Sequence, residues 1–210
     1  MTGVQTCALP IFHKIEHVIV TATEAPKDTN PWSREKFQRE CIVRGIMDVP
    51  REAIVMVSDV DEIPNLKIIP WEKLPHLITV VHMWMFHYSL DYMFTGEPWF
   101  GTVITNAETL LRFGPNQLRD SRWNFPVFQF SGWHLSSFGD EKHVLNKMRT
   151  FAHALDNNSH KHLQTEENIK QWISEGKFID GQTELLKRPE EVPLPAPVEV
   201  LRRLNLGTFP

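Results

Sequence analysis

The sequence is poor in cysteine, in charge of one sign and in uninterrupted apolar stretches. Two cysteines, Cys7 and Cys41, occur in 210 residues. That excludes a disulfide framework and a four-thiolate metal centre. Twenty-two Lys and Arg stand against 26 Asp and Glu, a formal charge of −4. Such a balance cannot build the basic field that nucleic acid or an anionic membrane demands. The longest apolar runs, at 53–57 and 77–86, are broken by Ser, Thr and His well short of a membrane span. No internal repeat and no low-complexity tract is present. With 41% apolar and 23% charged residues, the chain has the composition of a soluble, globular protein of one domain.

What is present begins oddly. Residues 1–12, MTGVQTCALPIF, have no positive n-region and no helical or strand period, so they read neither as a signal peptide nor as an anchor. They resemble translated sequencing adapter. The expectation is a non-native leader carrying Cys7, ahead of a domain at 13–188 whose reading frame is truncated upstream. A Pro-rich segment at 189–210 follows and is expected to pack on that domain as an extended stretch. Seven Trp and ten His are many for this length. Such residues fill cores and strand pairs, and they also line sugar and metal sites.

Local patterns predict an α/β layered fold. Ile15 to Val20 reads as a buried strand, and Asn30-Pro31 as an N-cap followed by proline at the first helical position. The helix shows Phe37, Cys41, Ile42 and Ile46 on one side and ends by Pro50. The short apolar run 53–57 reads as a strand covered on both faces, as in a parallel sheet. Strands are expected at 77–86, 88–93 and 100–105, a short helix at 107–111, and an aromatic-rich strand at 127–135. A helix follows at 141–152 with Val144, Leu145, Met148 and Phe151 on one side. Thr165 caps the last helix, whose stripe is Ile169, Trp172 and Ile173 and whose stop is Gly176.

The strongest chemical signal lies directly after the 53–57 strand: Ser58-Asp59-Val60-Asp61-Glu62-Ile63-Pro64. In extended backbone, residues i and i+2 project to one side, so the Asp59 and Asp61 carboxylates converge. Convergent carboxylates repel unless a cation sits with them. Oxygen ligands at a strand's carboxyl end suit Mg²⁺ or Mn²⁺, which in turn hold a diphosphate. Two enzyme classes place D-x-D at a strand end. In haloacid-dehalogenase-like phosphatases the first Asp is a nucleophile, usually followed closely by Thr. In GT-A nucleotide-sugar transferases the pair holds the metal on the donor.

Four ordered motifs resemble glycosyltransferase family 17. They are Trp32-x-Arg34-Glu35-x-x-Gln38-Arg39, the Ser58 to Pro64 run, Gly132-Trp133-His134-x-Ser136, and Lys147-x-x-x-Phe151-Ala152-His153. The family's best-known activity adds the bisecting N-acetylglucosamine to N-glycans. The resemblance covers roughly 13–210, and departs at the front, where the family has a further strand and an acidic, aromatic segment.

That resemblance implies a GT-A-like fold, with a mixed central sheet flanked by helices and its first strand region missing. It implies inverting transfer of N-acetylglucosamine from UDP-GlcNAc to a mannose hydroxyl of an N-glycan or similar glycan. Other donors or acceptors, and an inactive glycan-binding remnant, remain the alternatives. Asp59 and Asp61 would hold Mn²⁺ or Mg²⁺, and His134 would either complete that shell or serve as a structural histidine. His153 is a further metal candidate. Arg34, Arg39, Asp59 and Trp133 are the residues expected at the donor. For the arginines the bland alternative is pairing with Glu35 or Glu40, and for Trp133 it is core packing. Asp140 and Glu141 are the candidates for the catalytic base, with the acidic first turn of a helix as the alternative. Partners are therefore a nucleotide-sugar donor and a glycan acceptor, with no nucleic acid and no membrane segment in this chain. The compartment would be cytoplasmic in a bacterial or viral source, or the Golgi membrane if an upstream segment carries an anchor.

Overall fold

The computed structural model describes residues 14–28, 30–74, 78–150 and 164–196. The expectations for 1–12, Phe151, Ala152, His153 and the tail from Pro197 onward lie outside these residues.

The first helix starts as its sequence requires. Asn30 Oδ1 accepts the Trp32 N–H at 3.0 Å, and proline occupies the first turn of α1, Pro31–Glu40. A 3-10 turn, Cys41–Ile46, continues it, and the chain then enters β1, Ile54–Val57. The remaining strands and α-helices are β2 (Glu62–Pro64), β3 (Thr79–His87), β4 (Tyr92–Asn106), α2 (Ala107–Phe113), α3 (Pro115–Asp120), β5 (Val127–Phe128), β6 (Gly132–Ser136), α4 (Glu141–Thr150), α5 (Glu166–Glu175) and β7 (Leu186–Lys187), with further 3-10 turns at Trp71–Lys73 and Arg122–Asn124.

The sheet runs in the order β1-β4-β3-β6-β2, with β5 also on β3 and β7 also on β4. β5 and β6 lie parallel to β3, and the other pairings are antiparallel. This is a mixed sheet flanked by helices, the α/β class that the sequence predicts. Among the described residues no helix is long and apolar enough to cross a membrane.

Four local expectations need correction. β1 is an edge strand, antiparallel to β4, and not a strand covered on both faces: Ile54 and Met56 are 51% and 41% exposed. Ile15 to Val20 forms no strand, and Ile15 and Ile19 face solvent. An apolar β-branched run supplies readiness for a sheet, but only a partner strand and a covering layer make one. The predicted strands at 88–93 and 100–105 are one strand of 15 residues, β4. Its ladder with β3 steps from Met85↔Phe94 to Met83↔Trp99, so Pro98 falls in the irregular stretch where no ladder bond is needed. Conversely, 127–135 divides into β5 and β6 around Phe130, whose φ is +48°. A left-handed backbone at a bulky residue costs of order 1–3 kcal/mol and persists only where surroundings enforce it.

The core then places the strand ends. Val144, Leu145 and Met148 of α4 pack with Ile169 and Trp172 of α5 against Tyr88, as the helical spacing predicts. Thr165 Oγ1 caps α5, and Gly176 ends it at φ +67°. On the other side Val57, Val80, Val103, Leu110 and Leu118 join β1, β3 and β4 to α2 and α3. Val192, from the Pro-rich segment, packs with Phe86, Leu90, Met93 and Trp133.

Candidate active site

Beyond Val57 the chain turns sharply, with the Glu62 N–H donating to the Asp59 carbonyl at 3.0 Å. Glu62 folds back beneath the turn, where its Oε2 accepts the Asp59 N–H at 3.1 Å. Its carboxylate is fully buried, so it needs a cation. Arg119, from α3, supplies one in a two-pronged contact, Nη1 to Oε2 at 2.9 Å and Nη2 to Oε1 at 2.8 Å. The same guanidinium donates to the Gly101 carbonyl at 2.6 Å and to Asp59 Oδ2 at 2.6 Å. Trp99 Nε1 completes the shell on Glu62 Oε1 at 3.0 Å. Gly101 is what allows this approach, because a Cβ there would stand 2.6 Å from Met83 Sδ and 3.0 Å from Glu62 Cδ. Burial opposes the Arg119 charge, yet Glu62 and Asp59 keep its pKa above the ordinary value. Arg39 of α1 reaches the other Asp59 oxygen at 3.3 Å while holding Glu35 at 2.8 Å. Asp59 thus lies between two guanidinium groups.

Asp61 has a different setting. Its Oδ2 meets Lys147 Nζ of α4 at 3.1 Å, and its Oδ1 faces His134 Nε2 of β6 at 3.5 Å. Burial would raise this carboxyl, but the bond and charge of His134, with the Lys147 ammonium, hold it well below the carboxylate range. The His134 ring is stacked on Trp99, centroids 4.2 Å apart at 7°. Its Nδ1 is buried without a hydrogen-bond partner, as are both nitrogens of His87 on β3. Burial first, then the nearby His134 and Lys147, lowers the His87 pKa to about 3, so this imidazole is neutral.

Both aspartates open on one cavity of about 1320 Å³. Its near wall is α1, the 3-10 turn and residues 16–20, and its far wall is the carboxyl ends of β1, β3 and β6. Arg39, Arg119, Arg122 and Lys147 line it with the two carboxylates and His134. Carboxylates, cations and a buried imidazole in one cleft can hold a charged, oxygen-rich ligand.

A family model described as glycosyltransferase family 17 matches residues 9–187. The chain belongs to glycosyltransferase family 17. No curated protein and no solved structure matches it. Family 17 membership makes the chain a transferase with a sugar donor and an acceptor, and the matched span includes every residue of the cavity wall. Of the two enzyme classes that place D-x-D at a strand end, family membership selects the transferase.

For this family 17 chain the structure brings together four of the residues singled out by sequence: Arg39, Asp59, Asp61 and His134. It does not bring Arg34, which is exposed on the outer side of α1. Trp133 is also elsewhere, 5% exposed in the core beneath the Pro-rich segment, with Nε1 donating to the Pro193 carbonyl at 2.6 Å. Neither Asp140 nor Glu141 lines the cavity. Asp140 caps α4, where the His143 N–H and side chain hold its carboxyl below the ordinary value. Among the described residues no three His, Cys, Asp or Glu side chains converge for a metal ion. Sequence reasoning missed Glu62, Trp99, Arg119 and His87 and gave Lys147 no role. Glu62, adjacent to the Asp pair, and Lys147, which opens the fourth motif, had a visible signal.

Proposed function

We propose that this family 17 chain is an inverting, GT-A-type transferase moving N-acetylglucosamine from UDP-GlcNAc to a mannose hydroxyl of an N-glycan or similar glycan. The observation that supports this reading is the shared cavity at the strand ends, where Asp59 and Asp61 meet His134, Lys147 and three arginines. Asp61 and His134 form an oxygen–imidazole pair 3.5 Å apart, a donor set that fits Mn²⁺ or Mg²⁺ with further positions left for water and phosphate oxygens. Such an ion, when bound, offsets the negative charge that grows on the leaving diphosphate. Lys147, Arg39 and Arg122 add charge of the same sign from the chain itself. Asp59, fixed by Arg39 and Arg119, sets the turn and with it the position of Asp61. The attacking hydroxyl gives its proton to a carboxylate of the cavity wall, where Glu16 and Asp120, the latter 3.5 Å from Lys36 Nζ, lie outside the Asp59 and Asp61 pairings.

Calorimetric titration of UDP with and without Mn²⁺ tests this reading. Mn²⁺ tightens UDP binding to the unmodified chain, and Asp61→Asn abolishes that gain and lowers transfer from UDP-GlcNAc about 10²–10³-fold. Glycan binding that persists in EDTA, with no affinity for UDP under any condition, would replace the transferase by a glycan-binding protein.

A further inference from the structure

A line of aromatic rings lies outside the cavity. Phe130, between β5 and β6, is held at φ +48°, a conformation that bulky residues rarely adopt. Its neighbours enforce it. Ser131 N–H donates to the His82 carbonyl at 2.8 Å, Ser131 Oγ to the Gln129 carbonyl at 2.9 Å, and Gln129 Oε1 meets His82 Nδ1 at 2.8 Å. The outcome is a phenyl ring that is 45% exposed, stacked on Trp84 at 4.1 Å and tilted against His82 at 4.3 Å. From His82 the contacts run to Phe100 at 5.5 Å, and from Phe100 to Trp123 at 4.8 Å. Trp123 is 53% exposed. Arg122 joins this strip to the cavity. Its guanidinium belongs to the cavity wall and lies 5.4 Å from the Trp123 ring and 5.8 Å from that of Trp99.

Backbone strain spent on presenting a ring to water is characteristic of binding sites, and exposed aromatic patches mark interaction surfaces. The chemistry of this one is specific. Flat apolar faces alternate with an imidazole, an amide and a guanidinium, which together match the C–H faces and hydroxyls of a sugar chain. A nucleic acid would demand more cations than Arg122 in a chain of net charge −4. We propose that the strip from Trp123 to Phe130 is an oligosaccharide-binding subsite that holds the acceptor glycan beyond the residue being glycosylated. The word acceptor rests on the transferase reading above, whereas oligosaccharide binding by the strip does not.

The test titrates the whole chain with a biantennary mannose-containing N-glycan oligosaccharide and with methyl mannoside, followed by tryptophan fluorescence and ligand-observed NMR. The oligosaccharide binds more tightly than the monosaccharide, and Trp123→Ala and Phe130→Ala each weaken it about tenfold. Phe130→Gly is the decisive variant, because glycine accepts the left-handed backbone while removing the ring. It keeps the fold by circular dichroism and loses the glycan affinity. UDP binding in the presence of Mn²⁺ is unchanged in all three. Oligosaccharide binding that is absent, or that survives loss of both rings, overturns the subsite. So does a concentration-dependent dimer that Trp123→Ala dissociates, since the strip would then pair two copies of the chain. Glycan binding lost in these variants, from a chain that never binds UDP, upholds the subsite and fails the donor reading alone.

Discussion

The two carboxylates of the Asp pair are two residues apart in sequence and belong to opposite kinds of environment. Around Asp59, Glu62, Arg119, Arg39 and Trp99 form a network in which both Glu62 oxygens are bonded and the carboxylates face guanidinium groups, although Arg119 Nε is buried without a partner. Around Asp61, His134 stands 3.5 Å away with an unpartnered Nδ1, Lys147 is 39% exposed, and His87 has no partner for either nitrogen. The first region behaves as structure, since every buried charge has its complement. The second has polar capacity unused, which costs stability and is kept where a ligand supplies the missing partners. Within one short motif the Asp59 side chain, 38% exposed, is tied to two arginines, and the Asp61 side chain, 25% exposed, faces Lys147 and His134.

This contrast can be broken by experiment. The largest effect is expected from Arg119→Leu, which leaves the Glu62 carboxylate buried and unpaired and should cost about 3–5 kcal/mol in urea unfolding. A loss below about 1 kcal/mol would mean that the Asp59 network is not a structural anchor. Next comes His87. Its pKa is about 3 in the folded chain against 6.5 unfolded, so the unfolded chain takes up the proton first. The stability from burying it neutral is complete above pH 6.5 and falls by about 1.4 kcal/mol per unit as the pH drops towards 3. His87→Leu should flatten the stability profile between pH 6.5 and 4.5, and an unchanged slope would remove His87 from the contrast. Lys147→Met should have the smallest effect, under about 1 kcal/mol, because the pair with Asp61 is partly in water. A loss comparable to that of Arg119→Leu would show the Asp61 region to be as closed as its neighbour.

Features of the fold that depend on adjacent residues were legible. Asn30-Pro31 opens α1 and Thr165 with Gly176 bounds α5 because caps are local chemistry. The pairing of β1 was not legible, since an apolar run does not say which strand lies beside it. β4 was obscured by Gly96, Pro98 and Gly101, which read as interruptions until the step in its ladder is seen. The same holds for the site. Asp59, Asp61 and His134 stood out because the motif and strand-end position are sequence properties. Arg119 is 57 positions from Glu62, on a helix of six residues, and nothing near it in the chain announces a partner. Trp133 was misplaced because alternation along β6 sends it and His134 to opposite faces, and only the sheet's surroundings decide which face holds the cavity.

The edge position of β1 has a consequence of another kind. Among the described residues its outer side pairs with no strand, and Ile54 and Met56 flank that side largely uncovered. A border of this sort is adhesive towards any extended peptide, including the same border on another molecule. An extended segment brought to this border would find unpaired backbone groups along Ile54–Val57, beside two exposed apolar side chains.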